Sequence, residues 1–414
     1  MTFSIRTWLA DRHGLPSWVN RAIDQVADRP NGVIGRLAAL RYGHTPRGVS
    51  VPTSTFRTAQ KRLLIAPVNY SGQAREWGKA VERSCADIAA TTMAINVPGG
   101  FSFEADLVVP VPTYQNDTHW QQHQFDAVAA NATHVLIEAL EPPFGRAFGR
   151  DVERQTRALL DRGVSVAMMC HGTEIRLPSR HVQTTAWSLY NDPAVYTPRL
   201  EQVAQRNSRI LERLRVPVFV STPDLLIDVP TGAWCPVVVD RARWEMGGVR
   251  ERSDGPVRAF HAPSISVHKG TPLIIDTLTR LQQEGVIEYR EAERIPSASM
   301  PAKYAQTDIF LDQFRAGSYG VAACEAMAAG CTVVGHVTDH VRDHVLKSTG
   351  LRLPIIEADP STIEAVLRAL ADDQIRRDSS SEEGRKFVAA VHDGRMSARV
   401  LSDRWLASAG AGEL

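Results

Sequence analysis

The chain has 414 residues, 43% hydrophobic and 22% charged, with a formal net charge of +1. That length exceeds one ordinary core and suits two domains with additions. The near balance of charge excludes a strongly polybasic or polyacidic protein, and no nucleic-acid partner is expected. The five cysteines, Cys85, Cys170, Cys235, Cys324 and Cys331, are scattered and without paired spacing. They read as small buried hydrophobes of a reducing compartment, not as a zinc or disulfide framework. No apolar run is long enough to span a bilayer and the N-terminus lacks the apolar centre of a secretion signal, so a cytoplasmic location is expected.

Residues 1–58 read as an N-terminal helical extension. Trp8, Leu9, Trp18, Val19, Ile23 and Val26 fall near helical spacing, and a second helical stretch covers residues 34–40. The segment carries eight Arg and no Lys against three Asp. A pair of helices packed on the main body is the favoured reading, because Pro16, Pro30 and Pro46 interrupt any long surface helix. Peripheral contact with the inner membrane face through this basic segment is the other.

Residues 59–240 are expected to form a first Rossmann-like domain. An apolar strand at 63–66 runs into the turn Asn69, Tyr70, Ser71, Gly72 and then a helix from about Ala74. Further apolar runs at 107–111, 134–137, 164–169 and 218–220 alternate with helical stretches, which predicts a parallel sheet covered on both faces. His171 follows the fourth of these strands, where open α/β sheets place ligands. The prolines at 223, 230 and 236 mark a rigid, extended crossing toward a second domain over residues 250–385.

The second domain opens with a strand at 257–261, ended by Pro263 and Ser264. Lys269, Gly270 and Thr271 then introduce a helix to about Gln283, an anion-friendly helix start. Residues 307–335 read as a strand, a turn through Gly317 and Gly320, a helix stopped at Gly330, and a second strand. The glycines let the backbone approach a ligand at the positive end of a helix, and Glu325 lies about a turn further on. An anion at the amides near Gly320 and a hydroxyl-rich group at Glu325 describe a nucleoside diphosphate. His336, His340 and His344 read as part of a polar helix with Val341 and Val345 turned inward, and no metal is expected there. Residues 372–385, charged and Ser-rich, read as a surface connection, and 387–406 as helix.

Asp308, Asp312, Gln313, Gly317, Tyr319, Gly320, Glu325, Ala326, Met327, Ala328 and Gly330 resemble the C-terminal signature of the GT-B glycosyltransferases, in particular the retaining family 4. His171, Gly172, Thr173, Glu174 and Arg176 are similar to that family's HG(S/T)(D/E)xR segment. The resemblance covers most of residues 60–410. It implies an α/β GT-B fold, two Rossmann-like domains facing each other across a cleft, with residues 386–414 crossing back to the first. It implies sugar transfer from a nucleotide-sugar co-substrate to an acceptor with retention of configuration, no cofactor and no metal. Lys269 and the amides of Tyr319, Gly320 and Val321 would meet the diphosphate, with Gly72, Ser264 and Ser318 lining the donor site. Glu325 would hold the ribose, His171 would touch the donor sugar or stabilise charge at its anomeric centre, and Asn69, Tyr70 and Ser71 would lie on the acceptor side. Two departures stand out. The Arg that usually precedes the Lys is absent from residues 265–268, and Gly317 stands where many members carry the first of two glutamates. Backbone amides around residues 316–319 are therefore expected to read the sugar's distal hydroxyls. A nucleotide-sugar epimerase, a sugar phosphorylase and a non-catalytic nucleotide-sugar binder are the rival readings, and the acceptor is open.

Overall fold

The computed structural model describes residues 17–45, 48–97, 103–245, 255–292 and 295–407. The first sheet holds β1 (Lys61–Ala66), β2 (Ile88–Asn96), β3 (Leu107–Pro110), β4 (His134–Glu138), β5 (Ser165–Cys170), β6 (Val218–Val220) and β7 (Ala233–Trp234), in the order β3-β2-β1-β4-β5-β6-β7. The second holds β8 (Val257–His261), β9 (Ile287–Glu291), β10 (Ile309–Leu311), β11 (Thr332–Gly335) and β12 (Ile356–Glu357), in the order β12-β11-β10-β8-β9. Every pairing is parallel. The central strands β4 and β10 are buried throughout, as strands covered by helices on both faces must be.

Each sheet reverses its strand order once, between β1 and β4 in the first and between β8 and β10 in the second. At such a reversal the helices leave to opposite sides, and the carboxyl ends of the two strands frame a crevice. Asn69 and Lys269 follow the strands at these two points.

Three expectations need correction. The strand β2 was not anticipated, because its IAATTMAIN sequence is diluted with Ala and Thr; it makes the run ending at Met169 part of the fifth strand, not the fourth. The run at 107–111 stops at Pro110, whose extended backbone starts the helix Val111–Asn116. Residues 372–385 are no surface connection: they belong to helices Ile363–Asp372 and Gln374–Val391. Ser381 and Gly384 face inward there, Ser381 Oγ donating to the Gly330 carbonyl at 2.7 Å, so a Ser-rich composition concealed a one-sided helix.

The N-terminal helices do pack on the body. Arg199 of helix Thr197–Leu214 reaches Asp28 at 2.7 Å and Asp24 at 3.7 Å, pinning helix Ser17–Asp28. Helix Val33–Leu40 docks through Gly35 and Ala39, with Arg146 donating to the Gly35 carbonyl and Asn116 to that of Ala39. Trp8 and Leu9 lie outside the described residues.

At the other end, helix Arg395–Leu401 returns to the first domain and packs on helix Gln73–Ser84. Gly394 takes a φ of 96°, and a Cβ there would stand 2.7 Å from that of Ala80, so only glycine fits the approach. Trp405 then slides beneath the sheet, 2% exposed, its indole N–H donating to Ser165 Oγ at 2.8 Å and its ring edge-on to His134. Removing that side chain leaves a large cavity where the chain end clamps the first domain. Trp405→Ala should therefore cost about 3–5 kcal/mol, read as a lowered midpoint of urea denaturation.

Candidate functional site

The first half of the site stands at the carboxyl ends of β1, β4 and β5. Asn69, Ser71 and Gly72 all adopt positive φ, which curls the chain tightly after β1. The turn is fastened by Glu138, the last residue of β4, which is fully buried. Its Oε2 accepts from the amides of Val68 at 3.2 Å and Asn69 at 2.9 Å. Its Oε1 lies 3.3 Å from His171 Nε2. His171 is further enclosed by the Tyr70 ring, edge-on at 5.2 Å, and by Trp77 at 5.7 Å. Glu174 secures the backbone here, accepting from the amides of His171 and Gly172. The predicted Asn69, Tyr70 and His171 are thus brought together, with Ser71 and Gly72 in the same turn. The residue that organises them, Glu138, was not anticipated. Its signal was there: a carboxylate closing the apolar strand HVLIE at the ligand-facing end of a sheet.

The second half is built from the turns after β8 and β10. Phe314 N–H donates to the Lys269 carbonyl at 2.9 Å, and a Cβ on Gly270 would stand only 3.1 Å from that of Phe314. His261 braces the same corner, its Nδ1 2.8 Å from the Leu311 carbonyl and its Nε2 2.9 Å from Thr271 Oγ1. Burial pushes this imidazole down to about 4, so it is a neutral strut at pH 7. Lys269 Nζ donates to Asp312 Oδ1 at 2.7 Å, and Asp312 is buried. Gln313 shapes the following turn, accepting from Ala316 N at 2.7 Å and donating to the Ser318 carbonyl.

Gly317 has a φ of 65°, and a Cβ there would fall 2.7 Å from Thr338 Cγ2. Any side chain at that position is excluded by sterics as well as by conformation. The amides of residues 317–320 have no acceptor among the described residues, and they lead into helix Val321–Ala328 with its own open amino end. The expectation for residues 316–319 needs narrowing, because the Ala316 amide is already taken by Gln313. Tyr319 offers only its backbone, since its ring is buried with its hydroxyl 3.3 Å from His392 Nε2. The Ser318 side chain is likewise buried, whereas Ser264 is exposed on the loop after β8.

Glu325 lies on helix Val321–Ala328, half-buried, and its carboxylate makes no hydrogen bond among the described residues. Burial pushes its carboxyl up to about 8, opposed by the charge of Arg243. Arg243 was not anticipated at the site. It comes from the short helix Arg241–Glu245, which lies against helix Val321–Ala328, and its guanidinium is anchored on Ser297 at 2.7 Å.

The halves meet through a segment between β5 and β6. His181 Nε2 lies 3.2 Å from the Ala316 carbonyl and Thr185 Oγ1 2.9 Å from His336 Nε2. Arg315 donates to Asp192 at 2.6 Å. Beside these contacts a small cavity is lined by Arg176, His181, Asp224, Ala316, Gly317 and Thr338. Burial alone would raise the Asp224 carboxyl, but Arg176, at 2.5 Å, and neighbouring hydroxyls hold it below its usual value. No hydrogen bond or ion pair joins His171 directly to Lys269 or Glu325 among the described residues. His336 is a junction residue, paired with Glu357 at 2.7 Å, while His340 and His344 lie on helix Asp339–Thr349 with Val341 and Val345 buried. Among the described residues no group of three or more His, Cys, Asp or Glu could hold a metal ion.

Two parallel sheets, each with one reversal of strand order and joined through such a junction, are the architecture of the GT-B fold, and solved structures bear this out. The chain is similar to sucrose-phosphate synthase from Thermosynechococcus elongatus, with a TM-score of 0.56 at 11% identity over 83% of this chain and 98% of that one. It is similar to a trehalose-6-phosphate synthase, with a TM-score of 0.55 at 9% identity over 83% and 98%. An Anabaena protein, HepE, solved with UDP and glucose, aligns with a TM-score of 0.52 at 11% identity over 84% and 100%. At these identities the likeness is one of fold. No protein-family model matches the chain, and no curated protein matches it in sequence.

The Glu325 environment has a consequence for stability. An ordinary Glu loses its proton near 4.5, whereas the folded protein holds this one up to about 8. Between those values the unfolded chain binds fewer protons than the folded one, so this residue's contribution falls as pH rises through the window. Glu325→Gln should melt above the parent at pH 8, with the gap closing toward pH 4.5, in thermal scans across that range.

Proposed function

We propose that this chain is a retaining glycosyltransferase that moves a sugar from a nucleotide-sugar to an acceptor hydroxyl without a metal ion. The observation that carries this is the convergence, at one reversal point of a GT-B sheet, of Lys269 with a run of unbonded amides at residues 317–320 ahead of a helix. Such a site suits a diphosphate. Glu325, without a hydrogen bond of its own, suits the vicinal hydroxyls of a ribose. Ionised Glu325 would accept from both hydroxyls, so binding would favour release of its proton.

In this reading the bond between the anomeric carbon and the β-phosphate oxygen breaks, and its electron pair passes to that oxygen. The new charge is met by Lys269 and the amides, which are fixed beforehand and need no reorganisation. The acceptor oxygen attacks the face the leaving group departs from, and its proton passes to the β-phosphate oxygen. No protein nucleophile is required. Asp312 keeps the Lys269 ammonium in place, and its buried negative charge reduces the net positive charge of the site. Arg243 adds a cation on the Glu325 side. His171, backed by Glu138, stands at the acceptor side with Asn69 and Tyr70, where an imidazole could stabilise charge near the sugar. With no side chain at Gly317, the sugar's distal hydroxyls would be read by the amides of residues 317–319. Discrimination between gluco- and galacto-configured donors is then modest.

Thermal-shift measurements with UDP, GDP and ADP test the reading first, since a ligand at 100 times its dissociation constant stabilises by about 2.7 kcal/mol. No shift with any of them would remove the donor site. With the donor known, Lys269→Ala should lower kcat, as it acts on charge developing at bond breakage, whereas Glu325→Ala should chiefly raise KM. Transfer should persist in EDTA, because the amides and Lys269 do what a divalent ion does elsewhere. Loss of activity with chelator, restored by a metal, would overturn this mechanism. Product analysis separates transfer from epimerisation, phosphorolysis and simple binding.

A further inference from the structure

Helix Val33–Leu40 is turned inside out. Val33, Ile34, Leu37 and Leu40 are 77%, 64%, 61% and 50% exposed, whereas Gly35 and Ala39 are buried against the body. At helical spacing these four apolar residues form one stripe. Arg36 borders the stripe beside Leu40, Arg41 follows the helix at the stripe's carboxyl end, both exposed, and the exposed Arg29 lies just ahead of it. The Arg41 guanidinium lies over the Tyr42 ring at 4.8 Å. Val49, a few residues on, is also exposed, at 53%.

The charged side chains on the helix and directly after it are all basic, with the exposed Asp28 one residue ahead of Arg29. No Asp or Glu occurs from Arg29 through Val51, a stretch holding Arg29, Arg36, Arg41 and Arg47; the next cations, Arg57 and Lys61, are paired with Glu82 and Asp87. Burial, and then the fields of Arg150 and Arg36, press the Arg146 guanidinium below its ordinary value, which marks the same positive region from the body side.

That charge selects among occupants. A second copy meeting the stripe across a two-fold axis would set these arginines against themselves. The chain's own residues 1–16 carry Arg6 and Arg12 against Asp11, so they too are basic. A single convex eight-residue helix offers no groove for a partner helix or strand. An apolar stripe bordered by arginines whose stems can lie along it suits a flat anionic interface.

We propose that helix Val33–Leu40 seats its apolar stripe in the surface of an anionic lipid bilayer, with Arg29, Arg36 and Arg41 against the headgroups. The helix packs on helix Val111–Asn116, which leaves the carboxyl end of β3. That is the same end of the sheet as Asn69 and His171, so docking would hold the acceptor side of the cleft toward the bilayer. The inference does not depend on the proposed chemistry and is tested without it.

Co-sedimentation of the full chain with vesicles is the test, using equal parts phosphatidylglycerol and phosphatidylcholine against phosphatidylcholine alone. The chain should bind the anionic vesicles, bind the neutral ones far less, and release with added salt. The double variants Ile34→Gln/Leu37→Gln and Arg36→Gln/Arg41→Gln should each weaken binding by roughly tenfold or more and melt at the parent's temperature. If the first variant does not fold, the arginine variant decides. Equal binding to both vesicle types, or unchanged binding by a folded variant, overturns the proposal. A chain that ignores the vesicles overturns it too, and light scattering would then assign the stripe to a second copy if the parent is dimeric and Ile34→Gln/Leu37→Gln monomeric, or leave it to a protein partner if both are monomeric.

Discussion

A single backbone hydrogen bond, from Phe314 to the Lys269 carbonyl at 2.9 Å, ties the turn after β8 to the turn after β10. The candidate donor side depends on it. The bond forms because Gly270 has no side chain to hold Phe314 away, and because β8 and β10 are adjacent strands sharing the reversal point of their sheet. Asp308 keeps these strands in register, accepting from Arg258 N, Nε and Nη2, each at 2.9 Å. With the corner fixed, Lys269 reaches Asp312, and the chain has only residues 312–320 in which to turn back into a helix. Gln313 and Gly317 make that turn. The free amides at its end are what remains when the backbone is curved too sharply to bond with itself.

Three carboxylates near the site show how environment divides one functional group into different tasks. Glu138 is buried under two amides and faces an imidazole, so its role is to fix a turn and orient His171. Asp312 is buried against an ammonium and sets where that charge sits. Glu325 has neither kind of partner and holds its proton up to about 8. A carboxylate partly withdrawn from water and left without a hydrogen bond is costly in its charged form. A protein that retains one forgoes stability for the ability to bind something that supplies the missing donors. The hydroxyls of a ligand would do so.

How much of this could be read from the sequence varied with the kind of signal. The strands at 257–261 and 309–311 coincide with β8 and β10, because short apolar runs bounded by Gly, Pro and Asp are local signals. The strand β2 was hidden, since Ala and Thr carry little apolar signal even where neighbouring strands bury them. Helix Gln374–Val391 was hidden by composition: Ser and charge dominate its outer face, and the inward Phe387, Val388 and Val391 come only in its last turns. At the site, Lys269, Gly317, Gly320 and Glu325 were legible because each is tied to a neighbour in sequence. Glu138 and Arg243 were not, because their partners lie 33 or more positions away and no local pattern links a strand-end carboxylate to a histidine just past the next strand. The orientation of helix Val33–Leu40 was equally out of reach. Periodicity identifies the apolar face, but only the packing of Gly35 and Ala39 says which way it turns.

That last point bears on how the two ends of the chain relate to the cleft. Arg199 fastens helix Ser17–Asp28 to a helix of the first domain, and Trp405 fastens the chain's other end beneath the same sheet. Both appendages therefore move with the first domain. The second domain meets the first through polar contacts, His181 to the Ala316 carbonyl, Thr185 to His336 and Arg315 to Asp192, and through apolar packing, where helix Asp339–Thr349 lies against Pro223–Ile227 and Trp234 stands edge-on to His344. The polar ones gather around the turn that carries the free amides. Polar contacts of this kind exchange readily with water, whereas the apolar packing under Trp405 does not. The Ala316 and Arg315 contacts, beside the turn with the free amides, are thus the part of the junction most open to exchange with water, while the N-terminal helices and the His171 turn are both fastened to the first domain.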